Sequence, residues 1–275
     1  MLTFNAGNCC GHAAARSIDD VAFTRLVLDD LAGVASVDRR RVFATGMSNG
    51  ATMSYRLAAE MSDRIAAIAL VGGPMGTEEC RPQRAVSVMH FHGDADEYAP
   101  FKGGRGRSPS GTDFFSVQHS IDAWVAANGY RPAPVTTRLP DRADDGTTVK
   151  EIRHESGRDG AEVVLVVIEG GGHTWPGREP RLRALGTSTR DISANDTMRE
   201  FFQRHPEDRR VCRGCEGRRV VHHGVRMAVV HRPRERSSDG AECRGLSGCT
   251  SHRNIRTTAS AWAPFSEACK LYRPV

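Results

Sequence analysis

The sequence predicts an α/β protein in which a mostly parallel sheet carries helices on both faces. Three observations lead there. Near-continuous apolar runs at residues 65–71, 86–91 and 163–168 read as strands buried on both sides. Segments with helical apolar spacing lie between the strands. Short Gly- and Asp-rich loops follow the strands, where open α/β sheets gather their chemistry.

Taken in order, residues 1–16 are rich in Gly, Ala, Asn and Cys and read as a loop. Ser17-Ile18-Asp19-Asp20 has the form of a capping box with Ser17 as N-cap. It opens a helix that carries Val21, Leu26, Val27, Leu28 and Leu31 toward a core and that Gly33 ends. A polar turn at 37–40 leads into a strand at 41–44. Gly46-Met47-Ser48-Asn49-Gly50 follows, then an uninterrupted helical stretch. A serine at the apex of so tight a strand-to-helix turn takes a strained backbone, and glycines two before and two after relieve the crowding. The turn lifts the Ser48 hydroxyl to a helix N-terminus, where N–H groups favour developing negative charge. An ordinary Gly-rich βα turn shares the bare pattern; the flanking strand and helix make Ser48 a candidate nucleophile.

The strand at 65–71 ends at Gly72-Gly73-Pro74, and that at 86–92 at Gly93-Asp94-Ala95-Asp96. Val117, Ile121, Trp124 and Val125 mark a helix over 114–127. Residues 131–160 are polar and turn-rich, with weak alternation at 149–153. The strand at 163–168 runs into Glu169-Gly170-Gly171-Gly172-His173-Thr174-Trp175, and a last helix spans 194–203.

With 275 residues the chain has room for one large domain or two small ones. Its charge is uneven. Residues 206–275 hold 14 Lys+Arg against 7 Asp+Glu, whereas the first 205 hold 24 against 26. The basicity belongs to the tail, and the body gives no electrostatic reason to expect nucleic acid. No run approaches the ~20 apolar residues of a membrane span. The opening MLTFNAGNCCGH lacks a leader pattern, so residue 1 is expected to enter the fold in mid-course. In the tail, Cys212-x-x-Cys215 with His222, His223, Cys243 and Cys249 invites zinc. Those spacings do not repeat as a finger or ribbon does, and the segment reads as a solvated, irregular basic tail. The GGRG stretch at 103–106 lacks a phosphate-loop pattern and reads as a flexible surface loop near the site entrance.

A serine hydroxyl needs a base within reach, and the base needs a carboxylate that fixes its tautomer. Ser48, then Asp94 or Asp96, then His173 follow three different strands, in the nucleophile–acid–base order of α/β-hydrolases. His90 and His92 sit on an apolar strand and read as structural, His92 supporting the Asp96 loop. His119 and His154 read as exposed. Trp175 reads equally as a pocket wall or a buried structural residue.

Several stretches together carry a family resemblance: FNAGNCCG at 4–11, Asp19-Asp20-Val21, VDRRRVFATGMSNGA at 37–51, VSVMHFHGDADEYAPF at 86–101, IDAWVAANG at 121–129 and VVLVVIEGGGHTWPG at 163–177. Over residues 3–205 the chain resembles the esterase family of poly(3-hydroxybutyrate) depolymerases, which includes feruloyl-esterase-like and acetylxylan-esterase-like enzymes. The resemblance implies an α/β-hydrolase fold and an extracellular carboxylic ester hydrolase that works without metal or organic cofactor. It implies Ser48 as nucleophile, Asp96 as acid through the HG-x-x-D match, His173 as base, the Asn49 N–H in the oxyanion hole and Trp175 on the substrate side. No nucleic acid or membrane partner is expected.

Three departures qualify that picture. The family carries strands and an HG-containing loop before the NAG-x-CCG segment. Residues 1–205 therefore read as a partial domain with its first strands missing, a bare edge at strand 41–44 and one oxyanion donor fewer. Tyr130 stands where relatives often have cysteine, and pairing of Cys9 or Cys10 with Cys80 stays open. Residues 206–275 match nothing in the family. A catalytically incomplete fragment and a polyanion-binding tail are the rival readings.

Overall fold

The computed structural model describes residues 2–129, 133–155, 157–180 and 182–207. The tail proper, with its Cys and His motif, lies outside the described residues, as does Tyr130. In chain order the elements are α1 (Gly11–Ala15), α2 (Asp20–Val34), β1 (Phe43–Met47), α3 (Asn49–Glu60), β2 (Ala67–Val71) and β3 (Ser87–Gly93). There follow a short ribbon of β4 (Gly104–Arg105) and β5 (Asp113–Phe114), helix α4 (Val117–Ala127), then β6 (Val135–Arg138), β7 (Thr148–His154), β8 (Val163–Glu169) and α5 (Ala194–Arg204).

Six strands form one sheet in the order β1-β2-β3-β8-β7-β6. β1, β2, β3 and β8 run parallel, with Ala44 opposite Ile68, Ile68 opposite Val88 and His90 opposite Leu165. β7 and β6 continue it antiparallel. Side chains of a strand alternate between faces, so each buried strand serves two cores. On one face Ile68, Leu70, Val88, Val163, Leu165 and Val167 pack with Tyr55 of α3 and Trp124 of α4. On the other, Ala69, Val71, Phe91, Val164 and Val166 pack with Met198, Phe201 and Phe202 of α5, and Phe43 stacks on Phe202 at 4.5 Å. Both sheet faces are covered, which is why β2, β3 and β8 read as continuous apolar runs.

Several expectations are corrected. Residues 1–16 contain the short helix α1. The cap of α2 is Asp19, whose carboxylate accepts from Ala22 N–H, and Ser17 has φ 50°. α2 runs through Gly33 to Val34. Only its Val21 and Leu28 reach the core; Leu26 is 67% exposed, and Phe23, Val27, Leu31 and Val34 also face outward. Among the described residues no element covers that face, and β1 beside it is only half-buried. β6 and β7 lie in the segment expected to be turn-rich. Their apolar alternation is weak because charge pairs help hold this edge: Lys150 Nζ lies 2.8 Å from Glu169 Oε1, and Arg153 pairs with Glu162. His154 ends β7 half-buried, not exposed. The 103–106 stretch is pinned: β4 pairs with β5, and Arg107 Nη1 lies 2.6 Å from Glu97 Oε2.

Candidate active site

The turn after β1 is as tight as its sequence implies. Ser48 has φ 56° and ψ −122°, a conformation side chains rarely adopt. Its N–H donates to the Val71 carbonyl at 2.9 Å, and its carbonyl accepts from Ala51 and Thr52 at 2.9 and 3.0 Å. These bonds tie the strained residue to β2 and α3. A Cβ on Gly46 would stand 2.5 Å from the Gly50 carbonyl carbon, so glycine is required there. A Cβ on Gly50 would meet nothing within 4 Å, which corrects the expectation that both glycines relieve crowding. Gly50 supplies the main chain that Gly46 packs against.

Asn49 opens α3, where its N–H has no intrahelical acceptor. Its side chain is clamped by the N-terminal segment: Oδ1 accepts from Phe4 N–H at 2.7 Å and Nδ2 donates to the Phe4 carbonyl at 2.9 Å. The sulfurs of Cys9 and Cys10, buried beside this clamp, pair with each other. Cys80 makes no disulfide among the described residues, so the pairing with Cys9 or Cys10 left open above is not seen; burial pushes its thiol up to about 12.

Asp96 follows β3 and His173 follows β8. His173 Nδ1 donates to Asp96 Oδ2 at 2.7 Å. Asp96 Oδ1 accepts from the Tyr98 and Ala99 N–H groups at 2.8 and 2.9 Å. Burial pushes the Asp96 carboxyl up, but hydrogen bonding, chiefly from His173, outweighs it and holds the group well below the usual carboxylate range. The acid is therefore ionised, and the hydrogen bond places an imidazole proton on Nδ1, which leaves Nε2 as the acceptor of a neutral ring. Asp94 does other work: exposed, it accepts from Gly170 N–H at 2.7 Å and joins the β3 and β8 loops.

The His173 loop is held from outside. His173 N–H donates to the Leu185 carbonyl at 2.7 Å and Gly172 N–H to Thr187 at 2.9 Å. Tyr98, half-exposed, stacks on the His173 ring at 5.6 Å. Gly72 and Gly73 lie between His173 and Ser48. A Cβ on Gly72 would stand 3.2 Å from His173 Nδ1, and one on Gly73 would strike the Ser48 carbonyl. Among the described residues no hydrogen bond joins Ser48 Oγ to His173; such contacts are often long before substrate binds. Trp175 packs on the α5-side core and donates its indole N–H to Asn195 at 3.0 Å. Tyr98 and Gly72 were not singled out from sequence, because nothing local marks a ring or a glycine that acts on a residue 75 or more positions away.

A serine on a strained turn after one parallel strand, and a carboxylate–imidazole pair after two others at the same sheet end, define the α/β-hydrolase class. No family model matches the chain. Individual proteins do. The chain is 34% identical over 196 residues to a protein of Nocardia uniformis subsp. tsuyamanensis named "Putative esterase NocK", covering 66% of this chain and 57% of that one. It is 29% identical over 177 residues to feruloyl esterase B of Piromyces equi, covering 62% and 31%. It is 26% identical over 186 residues to feruloyl esterase D of Neurospora crassa, covering 68% and 56%. The chain is thus similar to proteins named as esterases, two of them feruloyl esterases, and it covers from 31% to 57% of the length of these curated relatives.

Proposed function

We propose that the chain is a serine-dependent carboxylic ester hydrolase working through an acyl-enzyme. The observation that carries this reading is the 2.7 Å bond between His173 Nδ1 and an ionised Asp96, set at the same sheet end as the serine with φ 56°. Ser48 Oγ attacks the ester carbonyl while His173 Nε2 takes its proton. Asp96 holds the imidazole in the right tautomer and stabilises the imidazolium. The Asn49 N–H, aligned with the N-terminus of α3, stabilises the oxyanion. His173 then protonates the leaving alcohol, and a water activated by the same nitrogen releases the acid.

For the acyl group we favour feruloyl-type aromatic esters. Tyr98 offers a half-exposed ring against His173, and two of the relatives carry the feruloyl esterase name. Acetylated polysaccharide and polyhydroxyalkanoate esters are the alternatives, and an extracellular place of action goes with any of these polymers. No helix among the described residues is long and apolar enough to cross a membrane.

The test is hydrolysis of p-nitrophenyl acetate, methyl ferulate and a 3-hydroxybutyrate oligomer by the 275-residue chain beside Ser48→Ala. Turnover of methyl ferulate that vanishes in the variant supports the reading. A folded chain with no turnover of any ester, or activity that survives Ser48→Ala, refutes it.

A further inference from the structure

Behind Asp96, on the α3 side of the sheet, three side chains join their polar atoms in one line. Tyr55 Oη lies 2.7 Å from His90 Nδ1, and His90 Nε2 lies 2.9 Å from His92 Nδ1. His92 Nε2 lies 2.8 Å from the Ala99 carbonyl and 3.4 Å from Asp96 Oδ2. Tyr55 and His90 are 0% exposed and His92 is 1% exposed. Polar groups buried this deeply stay only where their partners satisfy them.

The proton positions follow from the far end. A carbonyl oxygen only accepts, so His92 Nε2 carries a proton. With that proton alone on the ring, Nδ1 accepts, which puts a proton on His90 Nε2 and leaves His90 Nδ1 as acceptor of the Tyr55 O–H. Burial, with the neighbouring His92, pushes His90 well below the imidazole range. Burial likewise pushes Tyr55 well above the phenol range, so both stay neutral. Every donor in the line points one way, from α3 toward the Asp96 loop. At its end the N–H donates to the Ala99 carbonyl, with the same Oδ2 that receives His173 only 3.4 Å from Nε2.

We infer that His92 is a positioning residue for the Asp96–His173 pair, itself oriented by His90 and Tyr55. Its bearing on rate rests on the hydrolase reading above; its geometry does not. The chain explains a cost that packing alone leaves unexplained: two histidines and a tyrosine stand where apolar residues would fill the same core. Pre-set polar groups that touch neither substrate nor nucleophile orient those that do.

The experiment is histidine ¹⁵N NMR on the intact chain, with steady-state hydrolysis of p-nitrophenyl acetate measured in parallel. His90 and His92 are expected as single Nε2–H tautomers and His173 as Nδ1–H. His92→Leu removes the donor; His92→Gln returns an N–H near the place of Nε2. The His173 Nδ1–H resonance is expected to move in His92→Leu and to return toward its wild-type position in His92→Gln. The kcat is expected to fall about tenfold or more in His92→Leu with KM little changed, and to recover to within about threefold in His92→Gln. Tyr55→Phe keeps the ring and removes the hydroxyl; its His90 resonances are expected to lose the single tautomer. If His92→Leu does not fold, His92→Gln and Tyr55→Phe carry the test. A proton on His92 Nδ1, or a His173 signal identical in all folded variants, overturns the inference. A wild-type chain that turns over no ester overturns the hydrolase reading alone, because the NMR comparison still decides whether His92 sets the pair.

Discussion

Gly72→Ala isolates how tightly the His173 ring is held. Gly72 has φ +59°, and a Cβ there would stand 3.2 Å from His173 Nδ1, 3.3 Å from Cε1 and 3.6 Å from Asp96 Oδ2. Two effects separate. A side chain in the left-handed region costs about 1–2 kcal/mol by itself. The contacts are a few tenths of an ångström inside the ~3.5–4.0 Å optimum, so His173 must shift by about that much to accommodate the methyl. Gly111→Ala is the control: its φ is +64°, and its Cβ would meet nothing within 4 Å. Both variants are expected to lose about 1–2 kcal/mol of unfolding free energy in urea. Gly72→Ala alone is expected to lower kcat on p-nitrophenyl acetate by about tenfold to a hundredfold, the cost of misplacing a catalytic group by a fraction of an ångström to 1 Å. Equal kcat in the two alanine variants would refute the claim that steric confinement by Gly72 sets the imidazole.

Further predictions follow from the same geometry. Asp96→Asn is expected to leave the fold intact and cut kcat by about 10³–10⁴-fold through loss of the tautomer-fixing carboxylate, whereas Asp94→Asn keeps an oxygen for Gly170 N–H and should change it less than threefold; equal losses would reverse the assignment. Glu162 is pushed up by burial but held down to about 2 by His205 and Arg153. Because its folded pKa lies below the unfolded value near 4.5, it stabilises the fold above that value and the contribution is lost as pH falls toward 2. Thermal melts over that range should show a steep acid limb that Glu162→Gln flattens. Leu26→Ala on the open face of α2 should cost under about 0.5 kcal/mol, while Leu70→Ala in the sheet core should cost about 2–5 kcal/mol; similar values in urea denaturation would mean that something covers α2 in solution.

What the sequence discloses and what it conceals divide along physical lines. Strands buried on both faces announce themselves, since few polar side chains are tolerated on either side; residues 65–71, 86–92 and 163–168 were legible for that reason. β6 and β7 were not, because an edge held partly by cross-strand ion pairs carries no apolar period. The outward face of α2 misled in the opposite sense: apolar spacing marks a helix but does not say that a neighbour exists to bury it. At the site, the Ser48 turn was legible because its glycine pattern reflects a local backbone requirement, although only Gly46 of the pair is sterically needed.

By itself, then, the order of residues determined the α/β class, the turn that strains Ser48 and the loops in which an acid and a base could stand. Those features depend on contacts within a few positions of each other. The choice of Asp96 over Asp94 was open from spacing and came from the family resemblance; tertiary structure alone decided that its carboxylate meets His173, that Gly72 confines that ring, and that Tyr55, His90 and His92 form a line ending beside the carboxylate. Each of these joins residues on different elements brought together by the parallel register of β1, β2, β3 and β8. Side-chain direction across such a register is set by the whole sheet, and no local pattern encodes it.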